Sequence, residues 1–232
     1  MRLRAFTFML VGCSLSCAHP GAGAFKSAAV PVFAEPHHHL EYESKFVRVL
    51  DVRIGPGDTT LFHVHADRHA GVVIAGARTW GQVVGGGESA YAANSIGSIS
   101  DNPSDVLPLT HRVANIDTVG FHIVLGQFLA ASGIDAPMIA PDRTMQLDRE
   151  TARGRVYRVT LAPGQSTSSH RHAQPGLTIQ VTAGTVVWDG DAVAARSAES
   201  RAGAWWWREA GHTHVLRNAG HLPIQLVEID WK

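Results

Sequence analysis

Fourteen histidines in a chain of 232 residues form its most chemically suggestive feature, because imidazole both ligates metals and titrates near neutral pH. Two pairs have a useful spacing. His63-Val64-His65 and His170-Arg171-His172 lie in runs that read as strand, where residues i and i+2 project from one face. Each pair therefore offers a two-point grip for a metal ion. Two imidazoles hold a divalent ion weakly, so a neighbouring strand has to supply at least one more donor. His111 and His214 are the natural third ligands, each followed by an asparagine four positions on, Asn115 and Asn218. The expected cofactor is a divalent ion, iron, manganese, copper or zinc, among which the spacing does not choose.

The elements that position these residues come from an internal repeat, which implies duplicated units that fold alike. Val47 to Gly57, five residues and His63-x-His65 match Arg155 to Gly164, five residues and His170-x-His172. Each copy continues through an apolar run to a glycine turn, at Gly76 and Gly184, and closes on an apolar strand, Phe121 to Phe128 and Ile224 to Ile229. Short β-branched runs alternate with Gly, Pro, Asn and Asp clusters and no 3.6-residue period is sustained, so the chain reads as all-β. Two copies of this size fit two tandem jelly-roll barrels better than one large sandwich. The expected organisation is an N-terminal linker or first strand over 25–44, a first barrel over 45–131, a connector over 132–154 and a second barrel over 155–232. The connector leaves room for a short helical turn near Asp142 to Met145.

Bulk properties exclude some partners. Lys+Arg and Asp+Glu both total 20, so no basic field exists to hold nucleic acid by charge. Met1 to Arg4 is a short basic start and Ala5 to Val11 an apolar run too short to span a bilayer. The segment reads as an export signal over residues 1–24, cleaved after Ala24, with a periplasmic or secreted destination. Leu10-Val11-Gly12-Cys13 offers the alternative of a lipidated Cys13. Cys13 and Cys17 both fall in this segment, leaving the barrels no disulfide framework. Open sheet edges give a homodimer a route, although no particular residue calls for one.

With the repeat and the histidines in place, the chain resembles the cupin superfamily, whose first motif is Gly-x5-His-x-His-x3-4-Glu-x6-Gly. Gly57, His63, His65 and Gly76 match it, with His69 where the Glu should stand. Gly164, His170, His172 and Gly184 match in the second copy, with Leu177 in the Glu place. The second motif, Pro-x-Gly-x2-His-x3-Asn, is met by His111 and Asn115, and more fully by Gly211, His214 and Asn218. The resemblance implies two cupin barrels and metal chemistry without the usual glutamate. Copy one becomes a four-histidine site of His63, His65, His69 and His111, and copy two a three-histidine site of His170, His172 and His214.

Neutral imidazoles leave the ion's charge uncompensated, so such sites favour a small organic anion: a carboxylate, enolate or thiolate. Three protein ligands on a six-coordinate ion leave three open positions and four leave two, which makes copy two the roomier site. Glu228 and Glu209 are the candidates for acid–base work. His37, His38 and His39 read as an exposed linker, and His212 as either a partner of His214 or a solvated turn residue. Along Trp205-Trp206-Trp207 alternate side chains are expected to line the second barrel, with the middle one facing the other copy or solvent. A dioxygenase or isomerase and a non-catalytic ligand- or metal-binding protein both fit this pattern, and a structural protein with vestigial sites competes with them.

Overall fold

The structure, a computed structural model, describes residues 29–85, 90–102, 108–190 and 193–232. The proposed export signal, Cys13 and Cys17 lie outside the described residues. Among these residues there is no α-helix, and a single 3-10 turn spans Val32–Ala34. Ten strands form the first half: β1 (Val30–Pro31), β2 (His38–Glu43), β3 (Val47–Ile54), β4 (His63–His65), β5 (His69–Ala75), β6 (Arg78–Val83), β7 (Ala90–Ala93), β8 (Ile99–Asn102), β9 (Leu109–Asn115) and β10 (Phe121–Phe128). Nine form the second: β11 (Met145–Glu150), β12 (Gly154–Leu161), β13 (His170–His172), β14 (Gly176–Gln180), β15 (Gly184–Gly190), β16 (Val193–Ser200), β17 (Trp205–Arg208), β18 (His212–Asn218) and β19 (Ile224–Trp231).

The chain is two jelly-roll barrels in tandem, each made of two facing sheets. The first pairs β1-β4-β9-β6-β7 with β2-β3-β10-β5-β8, and the second pairs β13-β18-β15-β16 with β11-β12-β19-β14-β17. The segment 132–154 is more than a connector, since β11 lies within it and pairs antiparallel with β12. No helical turn forms near Asp142. Its carboxylate instead accepts hydrogen bonds from the backbone N–H of Thr144 at 2.7 Å and of Met145 at 2.9 Å, an arrangement that fastens a turn and releases the chain into strand.

Strand parity explains the burial. On β10, Phe121, Ile123 and Leu125 join Leu50, Val52 and Ile54 inside the first barrel, while Val124 and Phe128 face the other way. On β12 and β19, Tyr157, Val159, Leu161 and Leu226 fill the second barrel, and Val156, Val227, Ile229 and Trp231 face outward. The two outward faces meet as one apolar core between the barrels. These sheets are buried on both faces, which is why β10 and β19 read as apolar runs instead of alternating.

The repeat persists in detail. Gly57 and Gly164 both have φ of 78°, a left-handed turn that favours glycine, and their N–H groups donate to Asn115 O and Asn218 O at 3.0 and 2.9 Å. These turns deliver the His-x-His strands in matching register, with His63 opposite His111 and His170 opposite His214.

Candidate metal centres

In the second barrel, β13, β18 and β19 bring four side chains together. One ligand atom from each of His170, His172, His214 and Glu228 lies within 4.8 Å of all the others. Glu228 Oε2 is 3.1 Å from His170 Nε2 and 3.3 Å from His172 Nε2, and Glu228 Oε1 is 3.2 Å from His214 Nε2. The buried Nε2 atoms of His172 and His214 face the Glu228 carboxylate and are otherwise unpartnered, an arrangement that a bound cation would complete. The opposite edges of two of these rings are fixed. His170 Nδ1 donates to Ser168 O at 2.9 Å and His172 Nδ1 to Asp230 Oδ1 at 2.7 Å, so each Nε2 can turn a lone pair inward.

A buried ionic network backs this cluster. Arg208, on β17, donates through Nη2 to Asp230 Oδ1 at 3.0 Å and through Nε to Thr178 Oγ1 at 3.1 Å, and Thr178 Oγ1 donates to Glu228 Oε1 at 2.8 Å. Burial opposes ionisation of Glu228, but His172, His214 and Arg208 hold its carboxyl well below the usual carboxylate range. Asp230 is likewise held down against burial by Arg208 and His172. Burial would lower the pKa of His170, yet its bond to Glu228 outweighs that and raises it. Burial pushes His214 down to about 4.

The first barrel gathers five imidazoles around one cleft, from His38, His63, His65, His69 and His111, with Val52, Ile54, Phe121, Ile123 and Leu125 opposite. The space measures about 660 Å³ counted out to open solvent. His38, His63 and His65 form the tight group, with ligand atoms mutually within 4.8 Å. The His111 ring lies 4.6 Å from that of His63 and 5.0 Å from that of His65, and the His69 ring 4.5 Å from that of His65. His63 Nδ1 donates to Leu61 O at 2.9 Å, matching His170, and the Nε2 atoms of His63 and His111 are buried without a partner. Burial, with the neighbouring imidazoles, lowers His63 to about 4 and His111 to about 3, and pushes His65 further down. Neutral imidazole is the form that ligates.

His38 is therefore no exposed linker residue, being 7% exposed on a paired strand. Its partner is Glu35, whose buried carboxylate accepts from His38 Nδ1 at 2.5 Å, from His37 Nδ1 and N at 3.0 and 2.8 Å, and from Leu61 N at 3.1 Å. Burial opposes its charge, but the bonds from His38 and His37 bring its pKa down to about 2.

No family model matches the sequence, and no curated protein is similar to it in sequence. Solved structures do match in shape. A crystal structure of AerE from Microcystis aeruginosa superposes with a TM-score of 0.64 at 13% identity, over 87% of this chain and 96% of that one. A mutant of oxalate decarboxylase OxdC from Bacillus subtilis superposes with a TM-score of 0.60 at 14% identity, over 81% of this chain and 69% of that one. The fold is the cupin fold.

With the cupin motifs set on this frame, the missing glutamate is explained. Leu177 does not stand in the acid's place, because its side chain points out of the second barrel into the core between the two. The position matching His69 is Gly176: His69 pairs with Gln127 on β10, and Gly176 with Asp230 at the equivalent place on β19. A Cβ on Gly176 would lie 2.7 Å from Arg208 Nη2 and 2.0 Å from Ile229 O. The carboxylate arrives instead from the adjacent strand, where Glu228 pairs with Thr178. Copy two thus gathers three histidines and a glutamate, four donors where the sequence offers three histidines, against five imidazoles around the first cleft. Glu228 sits among the donors and is not a free acid or base. Glu209 is exposed and accepts from Trp207 Nε1 at 2.7 Å.

The tryptophans reverse the expected order. Trp205 and Trp207 pack between the barrels beside Tyr42, while the middle residue, Trp206, faces the second barrel's interior with Trp188. The Trp188 ring lies 4.3 Å from that of His214, tilted by 47°, and its Nε1 donates to His212 Nε2 at 3.1 Å, which makes His212 a partner of this wall. Both donor sets fit a divalent ion: ligand atoms within 4.8 Å of one another, on imidazoles fixed from behind by backbone carbonyls and carboxylates.

Proposed function

We propose that the chain is a metal-dependent protein of cupin fold that acts on a small organic anion, as a dioxygenase or an isomerase-type enzyme. The convergence of His170, His172, His214 and Glu228 within 4.8 Å carries the metal reading. A divalent ion there would supply Lewis-acid polarisation of a ligand's oxygen atoms. The chain's own residues do the rest. Ser168 O and Asp230 fix the faces of His170 and His172, Arg208 and Thr178 hold Glu228 in place, and Trp188 packs against the His214 ring.

Charge favours an anionic ligand in both barrels. In the second, Glu228 and Asp230 outweigh Arg208 by one negative charge, which leaves a divalent site one unit positive. In the first, Glu35 leaves the same balance. The cleft of the first barrel, histidines on one side and Val52, Phe121 and Leu125 on the other, suits an anion with an apolar body. Support for the class also comes from similar structures of oxalate decarboxylase, one of them described for its substrate binding mode and one for its Mn(II) centres.

A second reading, a non-catalytic binding protein, is favoured by one observation. Both carboxylates of the second barrel are already engaged, Glu228 by three histidines and Asp230 by Arg208 and His172, which leaves neither free for proton transfer. We further propose, from residues 1–24, that the chain is exported, which the N-terminal residue of the mature protein would test.

The deciding experiment is metal content by mass spectrometry on untagged protein, with His63→Ala/His65→Ala and His170→Ala/His172→Ala beside the wild type. The expected result is near-stoichiometric metal, part of which each double variant loses. Dioxygen uptake or product formation with candidate acids then favours the enzyme, and saturable binding without product favours the second reading. A folded protein that takes up no metal on reconstitution would sink the enzyme reading and leave a cupin scaffold used for ligand binding or packing as the better account.

A further inference from the structure

The duplicated register shows a reciprocal exchange of two donors between the barrels. His38 pairs with Val52, and at the equivalent place in the second barrel Met145 pairs with Val159. Met145 is 2% exposed and belongs to that barrel's apolar core. Conversely, Glu228 pairs with Tyr157, and its equivalent in the first barrel is Leu125, paired with Leu50. Leu125 lines the apolar side of the first cleft. Each barrel thus carries an extra donor where the other carries an aliphatic or thioether side chain. The first adds an imidazole from its outermost strand, and the second adds a carboxylate from its closing strand.

From this exchange we propose that the two barrels are built for different ions. The first is an all-nitrogen site in which His38 is an added ligand and Glu35 its positioning residue. The second is a mixed nitrogen and oxygen site. The inference rests on the reading of both clusters as metal sites and adds which ion each selects. Imidazole sets suit zinc, copper and nickel, whereas manganese, at the weak end of the divalent series, depends on carboxylate oxygen. A site of imidazoles alone therefore discriminates against Mn(II) more strongly than one containing Glu228.

Glu35 is the second, independent observation. A buried carboxylate is costly unless fully bonded, and this one accepts four hydrogen bonds, one of them from His38 Nδ1. A proton held on Nδ1 leaves the lone pair on Nε2. The His38 ring then lies 4.5 Å from that of His63, against the cluster. Asp230 does the same for His172 in the second barrel. A histidine that merely filled space would not need a buried anion behind it.

The test uses the untagged full chain, stripped with a chelator and titrated separately with Zn(II) and Mn(II). Zinc is followed by calorimetry and mass spectrometry, and manganese by the paramagnetic resonance of the free ion. Zn(II) should fill two sites per chain and Mn(II) one. The manganese site should vanish in His170→Ala/His172→Ala and persist in His63→Ala/His65→Ala. Glu35→Gln and His38→Gln should each weaken zinc at the first barrel by about 10–100-fold and leave the manganese site unmoved. Circular dichroism checks folding, and His38→Met, which copies Met145, replaces His38→Gln if that variant fails to fold. Two manganese sites of equal affinity, or zinc at the first barrel unchanged in both Glu35→Gln and the His38 variant, would overturn the selectivity while leaving the metal reading intact. No stoichiometric metal of either kind would overturn both.

Discussion

Single residues decide the chemistry here, and the histidines and the acids were not equally legible. His-x-His followed by His-x-x-x-Asn is a local signal, so spacing alone picked out residues that the fold brings together. Glu228 is legible in the sequence as a candidate acid but not as a neighbour of these rings, because its partner His170 lies 58 residues away and only strand pairing joins them. A signal was present: Glu228 and Asp230 interrupt the apolar run of β19 two residues apart, hence on one face, and acids on a buried strand need partners. His38 was hidden by its place in a histidine tract, where parity selects one ring and no composition rule can. Burial of these neutral rings gives a pH dependence. In metal-free protein His63 and His214 titrate near 4 and His111 near 3, below the unfolded value of about 6.5. Their contribution is fully present above pH 6.5 and is lost as pH falls through the folded values. By pH 5.5 each withdraws on the order of 1 kcal/mol relative to pH 8. His170, whose pKa is raised, offsets part of this. The urea midpoint of the stripped protein should therefore fall between pH 8 and 5.5, before the carboxylates titrate. A flat midpoint over that range would show that these rings are not buried neutral.

At the scale of the element, the motif asparagines are the most readable feature, and in the structure they fasten turns. Asn115 Nδ2 donates to Ile54 O and Val119 O, and its Oδ1 accepts from Asp117 N. Asn218 repeats the pattern with Leu161 O, Leu222 O and Gly220 N. Each ties the end of a His-bearing strand to the end of the β3 or β12 strand and to the turn that follows it. Three bonds, one buried and two partly buried, at roughly 1 kcal/mol apiece make Asn218→Ala cost about 3 kcal/mol, with Asn115→Ala similar. Denaturation of each variant beside the wild type measures this, and zinc affinity at the matching barrel should weaken as the strand loosens. A change below about 0.5 kcal/mol, the size expected of a surface site, would mean that the turns hold without them. The tryptophan run shows the limit of such reading. Alternation places Trp205 and Trp207 together, but which face is inward depends on register, and a one-residue slip exchanges the faces.

For the whole molecule, the question is what joins two barrels that repeat so closely. The sequence shows the duplication plainly but not the contact, because β10 and β19 are apolar on both faces and periodicity cannot say what covers the second. The structure answers with Trp231, which is 0% exposed, near the chain's end. Its ring lies 4.2 Å from that of Phe128 of the first barrel, and it packs so close to β10 that a Cβ on Gly126 would come within 2.9 Å of its edge. The same contact buries Leu177, whose side chain lies in the inter-barrel core. Removing Trp231 opens a cavity between two sheets that cannot easily collapse, at a cost of about 3–5 kcal/mol. Trp231→Ala should therefore lower the stability of both barrels together and leave a single cooperative transition at a reduced midpoint. Calorimetry of the wild type and the variant checks it. Two separate transitions in the wild type, only one shifted by Trp231→Ala, would mean that the barrels fold as independent units and that the apolar core between them contributes little to their coupling.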